Sequence, residues 1–185
     1  MIKDLLKDAE HRMRGAIKSL SDDLAAIRTG RANPALVERL QINYYDSPTP
    51  LLQLASISVP EPRSLMIKPF DATVLKDIEK AILASDLGLT PNSDGKVIHL
   101  NLPPLTEERR RDLVKLVHSR LEDSRVAIRN IRRDSHNDMR DFEKEKLISE
   151  DDLKTGEEDL QKLTDQLVED VAELGKKKEF EIMEV

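Results

Sequence analysis

The sequence contains no cysteine and no tryptophan, and only 3% of its 185 residues are aromatic. Without cysteine the chain cannot form a disulfide, a thiolate metal site or a thiol nucleophile. No apolar run approaches the ~20 residues that a membrane-spanning helix needs. The opening residues Met1–Asp4 bring an acid into the first helical turn, which is unlike a secretory signal. These absences predict a cytoplasmic protein with no membrane partner.

Signatures of common catalytic sites are also missing. The chain has no Gly-x-x-x-x-Gly-Lys phosphate loop, no Gly-x-Ser-x-Gly elbow and no Gly-x-Gly-x-x-Gly turn. None of its 4 His residues forms a ligand pair at helical spacing. The acidic cluster Glu150–Asp152 stands at an expected helix start, where capping explains it. We therefore predict no enzyme activity, no catalytic residue, no metal and no cofactor. A metal-dependent nuclease or phosphatase is a minor alternative.

What the chain has instead is charge, because 36% of its residues are Asp, Glu, Lys or Arg. The formal net charge is −6, but the charge is unevenly distributed. Residues 106–140 contain 10 basic and 7 acidic side chains, whereas residues 141–185 contain 7 basic and 16 acidic ones. An acidic total therefore hides a basic segment, and net charge alone would mislead about a polyanionic partner.

Three long segments show the three-and-four spacing of apolar residues that is typical of an amphipathic helix. They are residues 2–27, residues 106 to about 145 and residues 149–174. Gly30 is predicted to terminate the first helix, and Ser149 is the predicted N-cap of the third helix. Because each apolar stripe is wide enough to face two neighbours, the economical arrangement is a three-helix bundle of near-antiparallel members.

Residues 31–105 lack this long helical periodicity and instead show the pattern of short strands separated by turns rich in Pro, Asn and Ser. Strands are predicted at 40–45, 54–59, 64–68 and 96–101, and one helix at 71–85. The predicted fold class is therefore α+β and mainly helical. A bundle of residues 1–30 and 106–185 carries an inserted α+β domain of residues 31–105.

The inserted domain must leave and re-enter the bundle through two adjacent connections, which we predict to be hinges. Glycine adds backbone freedom to the first, and two prolines stiffen the second. The predicted hinge residues are Thr29, Gly30 and Arg31 on one connection and Leu102, Pro103, Pro104 and Leu105 on the other.

The most informative pattern lies on the second long helix. A helix turns by ~100° per residue, and viewed down its axis a set of basic residues falls within an arc of about 100°. The middle of that arc lies about 120° around the helix from the centre of the apolar face, so the basic side chains are expected to point away from the core. The set is Arg111, Arg125, Arg129, Arg132, Arg133, His136 and Arg140. Residues 125–133 contain four Arg, no Lys and no acid. Because the arginine fork suits phosphate, this stripe predicts an RNA or another phosphate-rich partner rather than a merely solvated face.

Several motifs resemble those of the bacterial ribosome recycling factor family. They cover both predicted domains in order and nearly the whole length. The motifs are IRTGRANP at 27–34, YYDSPTPL at 44–51, ASDLGL at 84–89, LPPLTEERR at 102–110 and RVAIRNIRRD at 125–134.

The resemblance implies an L-shaped molecule of two domains, a three-helix bundle with tRNA-like dimensions and a small β/α/β domain on a hinge. It implies a translation factor that binds the post-termination ribosome and, with elongation factor G and GTP, dissociates it into subunits. Large-subunit ribosomal RNA and elongation factor G would be its partners, and we expect a monomer. The family's RNA contacts carry over to Arg28, Arg31, Arg109, Arg110, Arg129, Arg132 and Arg133. The alternative is a helical scaffold that binds an acidic protein through its Arg stripe.

Overall fold

The computed structural model describes residues 1–184, which divide into two compact units. One unit comprises residues 1–28 and 107–184, and the other comprises residues 29–106. The elements in chain order are α1 (Ile2–Ala25), β1 (Gln41–Tyr44), β2 (Ser47–Pro50), α2 (Leu51–Leu54), β3 (Ala55–Glu61), β4 (Ser64–Pro69), α3 (Leu75–Ala84), β5 (Pro91–Ser93), β6 (Ile98–Asn101), α4 (Glu107–Lys144) and α5 (Glu150–Glu184).

The first unit is a three-helix bundle, as the apolar periodicity predicts. Helices α1, α4 and α5 each pack against the other two. Arg110 in the first turn of α4 donates to the Met183 carbonyl in the last turn of α5, so these two helices are antiparallel. Ile2 at the start of α1 lies beside both Gly156 near the start of α5 and Met139 near the end of α4. Helix α4 is therefore antiparallel to both of its neighbours.

The bundle core is apolar and narrow, and two glycines let the helices approach closely. Fully buried side chains include Met13, Val117, Ile128, Leu167 and Val171. A Cβ atom at Gly156 would lie 3.1 Å from Ile2 Cγ2, and one at Gly175 would collide with the Leu121 side chain. Larger residues at these two positions would therefore push the helices of the bundle apart.

The start of α5 agrees with the predicted cap, whereas α1 ends at Ala25 with Ala26 as its C-cap, earlier than the predicted end before Gly30. Ser149 Oγ accepts a hydrogen bond from the Asp152 backbone N–H at 3.1 Å, and the Asp152 carboxylate accepts one from the Ser149 N–H at 3.1 Å. This reciprocal pair is a capping box. The hydrogen bonds from Ser149 also lower the pKa of Asp152. Helix α5 continues to Glu184, beyond the predicted stripe, because Ile182 is also buried.

The second unit is an α+β fold with its own core, as predicted. A four-stranded antiparallel sheet has the strand order β3-β4-β6-β5. Strands β4 and β6 are central, and α3 places Ile78 and Ile82 in the core of this unit. The residues that form this core with them include Ile42, Leu51, Leu65, Ile67, Ile98 and Leu100.

Two short strands were missed by the sequence analysis, which read both segments as turns. Ser47–Pro50 is strand β2, paired antiparallel with β1 through a hairpin turn at Tyr45 and Asp46. Both turn residues have positive φ, of 48° and 57°, although neither is a glycine. The prolines of β2 occupy alternate positions, so both nitrogens can point away from β1. Pro91–Ser93 is the edge strand β5.

The connections at the ends of the second unit are tied to a single turn. The Ala32 N–H donates to the Pro62 carbonyl at 2.7 Å, and the Leu102 N–H donates to the Arg63 carbonyl at 2.8 Å. These two hydrogen bonds hold both connections beside the turn between β3 and β4 at the point where each connection meets the second unit.

Across residues 1–184, none of the helices combines the length and apolarity that a bilayer-spanning segment requires.

Candidate nucleic-acid interface

Helix α4 positions most of the predicted site residues. It is 38 residues long, which corresponds to about 57 Å at ~1.5 Å per residue. Leu113, Val117, Leu121 and Ile128 are buried on one face, toward α1 and α5. Because that face is held in the core, side chains on the other face of α4 extend away from the bundle.

Three predicted residues come together on the exposed face. Arg129, Arg132 and Arg133 are all exposed and line an open groove of about 520 Å³ between α4 and α5. His136 of α4 and Gln161 of α5 line the same groove. The outward orientation predicted for these three arginines is thus what the structure shows. We refer to this feature as the α4–α5 groove.

Two carboxylates neutralise part of the stripe. Glu122 lies 2.5 Å from Arg129 and 3.7 Å from Arg125, and the hydrogen bond from Arg129 is the main reason that the pKa of Glu122 is lowered. Glu157 of α5 lies 2.8 Å from His136 Nε2 and 3.8 Å from Arg140 Nε. Glu122 belongs to α4 itself, whereas Glu157 reaches the stripe from another helix, a contact that only the tertiary structure reveals.

Arg132 and Arg133 carry the uncompensated charge of the groove. Arg132 donates to the amide oxygen of Gln161, and Arg133 donates to the amide oxygen of Asn130 at 3.4 Å. Within residues 1–184 neither guanidinium forms an ion pair. An amide orients a guanidinium without cancelling its charge, so these two side chains are preorganised to bind an anion such as a phosphate.

Arg110, for which the resemblance implies an RNA contact, lies apart from this exposed set. Its side chain is half-buried, and Nη1 donates to the Met183 carbonyl at 3.1 Å. Its Nε is buried and has no hydrogen-bond partner among the described residues. The guanidinium therefore links the start of α4 to the end of α5, where it satisfies a free carbonyl in the last turn of α5. Arg125 of the stripe is likewise only partly exposed, at 32%.

A second basic groove lies between α1 and α4, nearer the start of α4. Its volume is about 360 Å³, and it is lined by Arg28, Arg109, Arg120 and Asp23 together with apolar residues. Sequence reasoning missed Arg120. A helical wheel places Arg109 and Arg120 only about 20° apart. Only the fold brings Arg28, which follows the end of α1, close to them. We refer to this feature as the α1–α4 groove.

Arg31, the remaining predicted site residue, lies in the second unit. It is exposed and makes an interaction within the structure.

The described part of the chain contains no group of three or more His, Asp and Glu side chains that could hold a metal ion. The two grooves thus offer arginine forks for binding anions.

Comparisons with known proteins agree on one family. A family model described as "Ribosome recycling factor" matches residues 20–183. The ribosome-recycling factors of Syntrophomonas wolfei and Halalkalibacterium halodurans are 55% and 54% identical to this chain over 185 residues, covering 100% of each sequence. A solution structure of a ribosome recycling factor covers 100% of this chain and 98% of its own, with 43% identity and a TM-score of 0.73.

A second solved structure is similar over 99% of both chains, with 44% identity and a TM-score of 0.64. It models the Thermus thermophilus ribosome recycling factor and the Escherichia coli elongation factor G bound to the E. coli post-termination complex.

Proposed function

The chain belongs to the ribosome recycling factor family, and from that premise we propose that it binds the ribosome after termination and, with elongation factor G and GTP, separates the ribosome into subunits. It is a non-enzymatic translation factor. GTP hydrolysis then belongs to elongation factor G, and this chain supplies binding and mechanical coupling. Because its target is the ribosome, we place it in the cytoplasm.

The observation that carries the binding role is the uncompensated charge in the α4–α5 groove. Arg132 and Arg133 are exposed, held by amides and without an acidic partner among the described residues. Ribosomal RNA presents closely spaced phosphates, which arginine binds with two parallel hydrogen bonds. We assign Arg129, Arg132 and Arg133 to contacts with large-subunit RNA. The same role is proposed for Arg28, Arg31 and Arg109.

The proposed function is tested by sedimentation of post-termination ribosomes after incubation with this protein, elongation factor G and GTP. Free subunits are expected only when all three are present. With GTP omitted, the ribosomes should sediment intact. Turnover of GTP by this protein alone would contradict the division of roles, and binding to acidic proteins in preference to ribosomes would favour the helical scaffold instead.

The two connections are proposed as the hinge that lets the small unit move while the bundle stays bound to RNA. Gly30 has φ +75°, in the region that favours glycine, and a Cβ atom there would lie 3.2 Å from Leu105 Cγ. Leu102 packs against the core of the second unit and donates a hydrogen bond to Arg63. We therefore narrow the proposed hinge to residues 29–31 and 103–105.

Replacing Gly30 by Ala should slow subunit dissociation several-fold while leaving ribosome binding nearly unchanged. A side chain disfavours positive φ by roughly 1–2 kcal/mol and would restrict the connection. Gly88→Ala is the matched control, because Gly88 has φ +64° and open space around it but lies outside the connections. The hinge would be contradicted if Gly30→Ala and Gly88→Ala slowed the separation of ribosomal subunits equally. It would also be contradicted if Gly30→Ala weakened ribosome binding as much as it slowed subunit separation.

A further inference from the structure

Two hydrogen bonds in series connect Arg132 on α4 to a carboxylate on α5. Arg132 Nη1 donates to Gln161 Oε1, and Gln161 Nε2 donates in turn to Asp165 Oδ1 at 2.7 Å. Gln161 and Asp165 are four residues apart on α5, so their side chains are neighbours on one face of that helix. The amide of Gln161 therefore stands between a guanidinium and a carboxylate.

The chemistry of these three groups allows the hydrogen bonds to run in one direction only. A guanidinium only donates, an ionised carboxylate only accepts, and an amide does both. Because Asp165 accepts from the amide nitrogen, the amide oxygen of Gln161 must face Arg132. Without that acceptor the amide could rotate by half a turn and present its NH2 group, which a guanidinium cannot bind. Asp165 thus fixes the orientation of Gln161, and Gln161 fixes the guanidinium.

The interposed amide also keeps the guanidinium from being neutralised. Arg129 on the same face meets the Glu122 carboxylate directly, at 2.5 Å. Arg132 instead meets an amide, and within residues 1–184 Asp165 forms no ion pair. Opposite charges attract less strongly as their separation grows, so Arg132 retains more of its charge for an external anion than Arg129 does.

We propose that Gln161 and Asp165 are positioning residues for ribosome binding, which hold the Arg132 guanidinium ready to receive a phosphate. This inference rests on the proposed function. A long side chain that is already ordered loses less conformational entropy when it binds, so preorganisation strengthens the contact. Asp165 is an acid beside a surface that binds polyanions, where its charge alone would oppose binding, and the positioning role offsets that disadvantage.

The unfavourable charge of Asp165 gives the decisive test, because the two possible roles predict effects of opposite sign. By charge alone, Asp165→Asn should tighten the binding of a polyanion. We expect it to weaken binding to post-termination ribosomes about threefold, because the Asn amide both donates and accepts and no longer fixes Gln161. Asp165→Glu keeps a carboxylate acceptor and should restore the binding of the unaltered protein.

The matched control is Glu169→Gln. It removes the same charge at an exposed position one helical turn further along α5, and it should leave binding unchanged or slightly tighter. Melting temperatures should be nearly equal for all of these variants, because a Gln–Asp pair one turn apart contributes little to the stability of a helix.

A double variant shows whether Asp165 acts through Arg132. When Asp165→Asn is added to Arg132→Gln, we expect no further weakening of ribosome binding, because the group that Asp165 positions is already absent. A merely structural role of Asp165 would weaken binding equally in both backgrounds.

Gln161→Glu tests the amide itself. A carboxylate at this position would pair directly with Arg132, and binding should weaken about tenfold, the loss of one charged hydrogen bond. Gln166→Glu is the control for the added charge. Gln166 is exposed on α5 and lies about 140° around the helix from Gln161 at ~100° per residue, so its replacement should have a much smaller effect.

Weaker binding by Asp165→Asn than by Glu169→Gln, abolished in the Arg132→Gln background, supports the positioning role. Binding by Asp165→Asn that is equal to or tighter than that of Glu169→Gln would overturn it, and so would weakening that persists without Arg132. The proposed function stands in either case if Arg132→Gln still weakens binding. If the unaltered protein does not bind ribosomes, both the positioning role and the proposed function fail.

Discussion

Replacing both Arg132 and Arg133 by Glu is expected to weaken ribosome association by about 100-fold or more at low salt. Hydrogen bonds to charged groups contribute ~1.5–3 kcal/mol each, and ~1.4 kcal/mol corresponds to tenfold in affinity. Two lost contacts therefore account for the effect before the added repulsion between Glu and phosphate. The melting temperature should stay nearly constant, because both side chains are exposed and Glu is as good a helix former as Arg.

Two control variants separate a local contact from a general effect of charge. Lys154→Glu combined with Lys162→Glu makes the same change in net charge on exposed positions of α5 and should have little effect on binding. Glu122→Gln should tighten binding a few-fold, because it removes the carboxylate that pairs with Arg125 and Arg129. Equal weakening by the α5 pair, or a large loss of stability in the Arg variant, would contradict the assigned orientation.

Replacing Leu167 by Asp is expected to unfold the bundle at ordinary temperature. Leu167 is 0% exposed on α5, in the core between the three helices. The change removes a buried aliphatic side chain, at about 2–5 kcal/mol, and buries a carboxylate that has no place for a partner. Together these costs approach the ~5–15 kcal/mol stability of a typical domain. Far-UV circular dichroism during thermal and urea unfolding is the measurement.

The controls for this prediction keep the chemistry and change one feature at a time. Leu167→Met conserves volume and should cost less than ~1.5 kcal/mol. Leu147→Asp makes the same polar change at a side chain that is 51% exposed in the α4–α5 loop, and it should be nearly neutral. A folded and cooperative Leu167→Asp variant would show that α5 does not complete the bundle core.

Long periodic segments were predictable, and short irregular ones were not. The stripes of α1, α4 and α5 and the capping box at Ser149 follow local rules that a sequence displays directly. Strand β2 was missed because its two prolines are turn residues in isolation. They are tolerated only at a sheet edge, and which strand lies at an edge depends on contacts distant in sequence.

The chain's own residues determined the helices, the α+β insert and the arginine stripe, because helical periodicity and arginine chemistry act over a few neighbouring positions. The partners of those arginines were decided by the fold. Only the packed bundle places Glu157 beside His136, gives Arg132 an amide instead of an acid and turns Arg110 inward to Met183. The α1–α4 groove depends on it in the same way, since Arg28 and Arg120 are 92 residues apart in the chain and line one groove through helix packing.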